Sequence, residues 1–233
     1  MFKESFSHEA YEYMGETRKY RFHKPENFDE NGKYPVVLFL HGAGERGDDN
    51  DAQLRIGIGT ALSDPESPLH NAFIIAPQVP LEKQWVASSW DPGTYDLDNT
   101  PETPYIAGAV SIVKSVMEKY PCDKDNVYVM GISMGGFGSW DALCRYPQLF
   151  VGGFICCGGT DASKARKICE KKIYTYHGDE DPVVNVRGTR AMVGAIMGCG
   201  GKNITYREYE GMGHWTWDRA FAEFDDINAL FAN

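Results

Sequence analysis

Hydrophobic positions along this 233-residue chain alternate between two periodicities. Short apolar or β-rich runs recur at 20–23, 36–40, 73–76, 127–131, 153–157, 173–177 and 205–209. The central runs are nearly all apolar, Val-Val-Leu-Phe-Leu at 36–40 among them, as burial on both faces of a sheet demands. Between them lie helical patterns. In 106–119 the apolar residues fall at 106, 109, 110, 113, 116 and 117, one face of a 3.6-residue repeat, with Pro104 ahead and Pro121 beyond as start and stop signals. A second helix is expected over 134–146, closed by Pro147, with others over 186–197 and 218–231. Strands alternating with helices predict βαβ crossovers: an α/β fold with a mostly parallel central sheet and helices on both faces. No repeat, low-complexity block or linker interrupts residues 1–233, which read as one domain.

One segment breaks the alternation. Residues 77–103 are long and irregular and carry Trp85, Trp90 and Tyr95. Loops of this length inside compact domains are usually functional, so a wall or partial cap over an active site is expected here. The opposing reading is a surface loop pinned by its tryptophans.

Composition narrows the function. Hydrophobic residues make up 42%, enough for a substantial core, and the formal charge is −10 with no long basic run. Nucleic acid is therefore not the expected partner, and the acidity reads as solubility. The first residues are polar and lack the apolar centre of a signal peptide, and no run approaches the roughly 18–20 apolar residues that span a bilayer. A cytoplasmic location is expected. Six cysteines, at 122, 144, 156, 157, 169 and 199, form no C-x-x-C pair or other zinc spacing. Cys156 and Cys157, in Gly-Phe-Ile-Cys-Cys, read as buried, reduced packing residues.

The chemistry centres on Gly131-Ile-Ser133-Met-Gly135, which follows an apolar strand and precedes a helix. In that context G-x-S-x-G marks a sharp strand-to-helix turn that projects the serine hydroxyl above the sheet edge. Glycine suits positions 131 and 135 because side chains there would crowd neighbouring backbone. A serine hydroxyl needs a base, ordinarily a histidine oriented by a carboxylate, and chain order in such hydrolases is Ser, acid, His. Only His177 and His214 follow Ser133. His177 precedes most candidate carboxylates and suits a turn-shaping role. His214, in Glu-Gly-Met-Gly-His-Trp after the last strand, is the expected base. Asp181 is the preferred acid, because Pro182 and an apolar pair can fix its loop; Asp179 competes, and Asp161 more distantly. The amide of Met134 is one expected oxyanion donor, and that of Ala43, in His41-Gly-Ala-Gly after the strand at 36–40, is the other. His41 itself reads as a structural hydrogen-bonder.

These motifs resemble the α/β-hydrolase superfamily, specifically the phospholipase/carboxylesterase branch with its predicted-peptidase and feruloyl-type esterase relatives. The residues that carry the resemblance are Leu40-His-Gly-Ala-Gly-Glu-Arg-Gly47, Ala76-Pro-Gln78, Gly131-Ile-Ser-Met-Gly-Gly136, His177-Gly-Asp-Glu-Asp-Pro-Val-Val184 and Gly213-His-Trp215. The resemblance implies a Ser133–Asp181–His214 triad, an oxyanion hole from Ala43 and Met134, and ester hydrolysis through an acyl-enzyme without cofactor or metal. It also favours Asp181 over Asp179. Small to medium acyl, phenolic or carbohydrate esters are the expected substrates, with Trp85, Trp90 and Trp215 as stacking surfaces. Thioester or short-peptide hydrolysis would use the same triad. A non-catalytic binding role is disfavoured because every triad type and both oxyanion elements are present.

Overall fold

The computed structural model describes residues 2–232. Its strands are β1 (Phe6–Tyr13), β2 (Glu16–His23), β3 (Tyr34–Leu40), β4 (Phe73–Pro77), β5 (Cys122–Ile132), β6 (Gly152–Cys156), β7 (Lys172–Gly178) and β8 (Ile204–Tyr209). They form one eight-stranded sheet in the order β1-β2-β4-β3-β5-β6-β7-β8. From β4 to β8 every pairing is parallel, whereas β2 runs antiparallel to both β1 and β4. The helices are α1 (Ile58–Ala61), α2 (Pro104–Lys119), α3 (Met134–Arg145), α4 (Ala165–Ile168), α5 (Arg187–Gly198), α6 (Trp217–Ala220) and α7 (Phe224–Phe231).

The apolar run of β3 explains the layering. Val36, Leu38 and Leu40 point into one core with residues of α2, α3, α4 and α5. Val37 and Phe39 point into the other, with residues of α1, α6 and α7. Alternation of side chains across a strand makes both faces apolar only when both are covered. The start of α2 follows its sequence signals: Pro104 occupies the first turn, and the Thr103 hydroxyl caps the helix by accepting from Ile106 N at 3.3 Å.

Two elements depart from the sequence reading. The strand expected at 20–23 is the end of a hairpin, β1–β2, turned at Met14 and Gly15. Most of β1 is solvent-exposed, so it carries no apolar alternation to announce it. The helix expected over 218–231 is broken between α6 and α7. There Phe221 is buried against Phe39 and Phe154, and Glu223 leaves helical geometry at φ −77, ψ 68. Anchoring that ring in the core redirects the chain.

Candidate active site

At the end of β5 the chain turns through Ser133, whose φ of 52 and ψ of −116 lie in a region non-glycine residues rarely occupy. The turn is held from both sides. Ser133 N donates to Cys156 O of β6 at 2.9 Å, and Phe137 N donates to Ser133 O at 3.0 Å. Gly135 then passes so close to β3 that a Cβ on it would lie 1.8 Å from Leu40 O. The turn exists only without a side chain there.

Asp181 follows β7 with its carboxylate fully buried. Oδ1 accepts from Val183 N at 2.8 Å and Val184 N at 2.9 Å, which leaves Oδ2 aimed at His214. Burial raises the Asp181 pKa, but hydrogen bonds from His177, His214 and Val184 outweigh it and hold the carboxyl well below its usual range. His177 is wholly buried; its Nε2–H donates to Val184 O at 2.9 Å and lies 3.2 Å from Asp181 Oδ2. It buttresses the acid's loop.

The loop bearing His214 packs on Gly178, where a Cβ would lie 2.2 Å from Met212 O. Glu180 N donates to Met212 O at 3.1 Å and ties the two loops together. His214 Nδ1 sits 2.7 Å from Asp181 Oδ2, and its Nε2 sits 2.7 Å from Ser133 Oγ. Burial pulls the imidazole pKa down, and the Asp181 and Cys157 side chains outweigh it, so the net shift is upward. Asp179 and Asp161 do not join this line. Asp161 instead accepts from Leu97 N and Ser163 N, holding the 77–103 loop.

The loop after β3 is braced throughout. His41 Nε2 accepts from Val79 N at 3.0 Å, so the proton sits on Nδ1, which donates to Gly42 O at 2.6 Å. Burial drives the His41 pKa down to about 4, fixing this neutral form. Arg46 Nε donates to Ala43 O at 2.8 Å. Ala43 and Met134 each begin a helical turn, so their amides have no partner within it. Burial also pushes the Glu45 carboxyl pKa up, against the hydrogen bond from the backbone at Gly42.

Ser133, His214, Ala43, Trp90, Trp215 and Trp217 line a cleft of about 240 Å³. Trp90 and Trp215, two of the three tryptophans expected as stacking surfaces, line this cleft, and Trp215 is 70% exposed. Trp85 does not. It is 1% exposed, its Nε1–H donates to His41 O at 3.0 Å, and it packs in the core beneath the loop. The sequence reading of Trp85 as a substrate contact is corrected: it offers no open face, because its ring fills the space under the loop after β3. Trp217 was not foreseen: it opens α6 just after the His214 loop, and its ring meets the His214 ring edge-on at 5.5 Å between centroids, a contact no local pattern announces. Cys157 was read as packing alone, yet its buried thiol sits against His214 and Asp181.

The comparisons with known proteins agree with this architecture. The family model described as "Putative esterase" matches residues 11–224. A bifunctional acetylxylan esterase/xylanase, XynS20E of Neocallimastix patriciarum, is 26% identical over 175 residues, covering 74% of this chain and 22% of that protein. Feruloyl esterase B of Thermothelomyces thermophilus is 30% identical over 135 residues, 58% of this chain and 42% of that one. The crystal structure of a thermostable esterase superposes with a TM-score of 0.87 at 30% identity, over 98% of this chain and 63% of its own. The chain thus spans less than half the length of either curated relative.

Proposed function

The chain belongs to the esterase family, and from that premise we propose that it is a serine carboxylic ester hydrolase. The observation that carries the reading is the unbroken line of two 2.7 Å contacts, Ser133 Oγ to His214 Nε2 and His214 Nδ1 to Asp181 Oδ2. His214 takes the Ser133 proton as the oxygen attacks the ester carbonyl, and Asp181 orients the imidazole and supports its positive form. The Ala43 and Met134 amides receive the oxyanion. His214 then protonates the leaving alcohol, and water, activated the same way, releases the acid. In this reading residues 1–233 act as one domain whose 77–103 loop walls the cleft.

The substrate proposal is a small to medium acyl, phenolic or carbohydrate ester. Three observations support it: the cleft's about 240 Å³, its indole rings, and the feruloyl and acetylxylan esterase names of the relatives. Among the described residues no helix is long and apolar enough to cross a membrane. We include a cytoplasmic location in the proposal; six free thiols are in keeping with a reducing compartment.

The test is hydrolysis of p-nitrophenyl esters from acetate to palmitate, with methyl ferulate and acetylated xylan alongside. Ser133→Ala is expected to lower kcat by about 10⁴-fold or more with the fold intact. Ester hydrolysis by Ser133→Ala at near the parent rate would sink the proposal. A folded parent inert on every ester but active on acyl thioesters or peptides would move the same triad to another substrate.

A further inference from the structure

Two strands end beside each other in the same unusual way. Ser133, after β5, has φ +52, and Cys157, after β6, has φ +42. Cys157 is followed by Gly158 and Gly159, residues that adopt such geometry without strain, yet the left-handed position itself carries a side chain. Cys157 N is fixed by donation to Tyr176 O at 2.8 Å. Its thiol is 0% exposed and points at the His214–Asp181 pair. One sulfur, one imidazole nitrogen and one carboxylate oxygen, from Cys157, His214 and Asp181, lie within 4.8 Å of one another.

We propose that Cys157, His214 and Asp181 form a binding site for a borderline-soft divalent cation, zinc being the best match, and that the bound ion shuts the enzyme off. The donor set is of the sulfur, nitrogen and oxygen type that zinc accepts. Tetrahedral zinc with bonds of about 2.0–2.3 Å holds such neighbours about 3.3–3.6 Å apart. The nitrogen on the Asp181 side is Nδ1, now 2.7 Å from Oδ2, so that gap must widen by about 0.6 Å while the sulfur draws in. Charge also balances. A carboxylate, a thiolate and a neutral imidazole cancel a divalent cation, so the buried site has no net charge to desolvate. Asp181 Oδ1 stays with Val183 and Val184, which keeps Oδ2 in place as a ligand. His214 borders the cleft, which gives the ion an entry path, and water takes the fourth position.

The proton accounting explains the inhibition. The cation forms bonds to Cys157 Sγ, His214 Nδ1 and Asp181 Oδ2; the thiol proton leaves to solvent, and the imidazole proton moves from Nδ1 to Nε2. Nε2 then carries hydrogen and cannot accept one from Ser133. This loss of turnover rests on the ester-hydrolase reading above, whereas the binding itself does not.

The experiment separates the two. Zn²⁺ is titrated against p-nitrophenyl acetate hydrolysis, and Cd²⁺ binding is followed by its thiolate charge-transfer absorbance on the Ser133→Ala protein. A Cys122→Ser/Cys169→Ser/Cys199→Ser background removes the partly exposed thiols, among them the Cys169–Cys199 pair that could bind the ion together. The expected result is inhibition that EDTA reverses and a one-to-one cadmium signal. Both should weaken at least about tenfold in Cys157→Ala and in Cys157→Ser, each compared with its own metal-free state, since even groups behind the ligands are worth about 10- to 100-fold in affinity. Equal zinc sensitivity with and without Cys157, or no cadmium signal in that background, would overturn the proposal. A protein inert on esters that still gives the Cys157-dependent signal would overturn the hydrolase reading and leave the site standing.

Discussion

The carboxyl edge of β5, β6 and β7 and the amino-terminal hairpin β1–β2 belong to one sheet but follow different rules. At the carboxyl edge Ser133 and Cys157 hold left-handed backbone, Gly135 and Gly178 allow contacts that no Cβ would survive, and His177 and the Asp181 carboxylate are buried. Each of these is unfavourable alone and persists because its neighbours fix it. In the hairpin β1 is mostly solvated and buries little beyond Phe6, while β2 buries Arg18, Arg21, Phe22 and His23. The hairpin covers the β4 side of the sheet and brings no side chain to the cleft. The contrast teaches that substitutions at the carboxyl edge should cost chemistry first, and those in the hairpin stability alone.

The largest expected effect breaks the edge at its acid. Asp181→Asn keeps the shape but removes the charge that favours the His214 imidazolium, and kcat should fall by roughly 10³–10⁴-fold. The pH profile carries the sharper signature. In the parent, the raised pKa of His214 means that the free base, and with it kcat/KM, keeps increasing as pH climbs above the ordinary imidazole value of 6.5. Without the carboxylate the imidazole pKa falls, so the acid limb should move to lower pH while the plateau drops. A limb unmoved by Asp181→Asn would show that another group orients His214.

Two tryptophans sharpen the comparison within the edge itself. Trp85, 1% exposed, fills the core and holds His41 O; Trp215, 70% exposed, stands at the cleft. Trp85→Ala should cost about 3–5 kcal/mol, a Tm drop of roughly 10 °C, and should also slow turnover by loosening the His41–Ala43 loop. Trp215→Ala should change stability by less than about 0.5 kcal/mol and act instead through KM for aromatic esters. Thermal melts paired with kinetics on acetate and ferulate esters would reveal a reversal of these roles.

How much of this was legible beforehand follows the same division. Buried surfaces announce themselves: β3 and the second half of β5 are written in apolar runs, and the buried face of α2 in a 3.6-residue repeat. The glycines around Ser133, Asp181 before Pro182, and His214 in its glycine-flexed loop could be read because their chemistry restricts the residue types allowed. Trp85 and Cys157 could not, because an indole in a long loop and a thiol after a strand are compatible with either core or site. Only the fold decides which face of the sheet each side chain meets. The break at Phe221 is of the same kind: a local pattern continues as helix, and a tertiary contact ends it.

The hairpin was invisible for a different reason, and that reason yields the smallest and most specific prediction. Met14 and Gly15 both have positive φ, 54 and 78, the signature of a type I′ turn. Asn-Gly is the preferred pair there, because asparagine tolerates left-handed backbone better than residues with long side chains. Methionine gives no such signal, and it is 78% exposed, so nothing about its packing repays the strain. Met14→Asn should therefore stabilise the protein by about 0.5 kcal/mol, raising Tm by roughly 1–2 °C. Because no residue of β1, β2 or their turn lines the cleft, kcat and KM should stay unchanged. A fall in Tm would mean that the Met14 side chain makes a stabilising contact in solution. A change in kcat would mean that the hairpin is coupled to the carboxyl edge, and the two regions would then no longer obey separate rules.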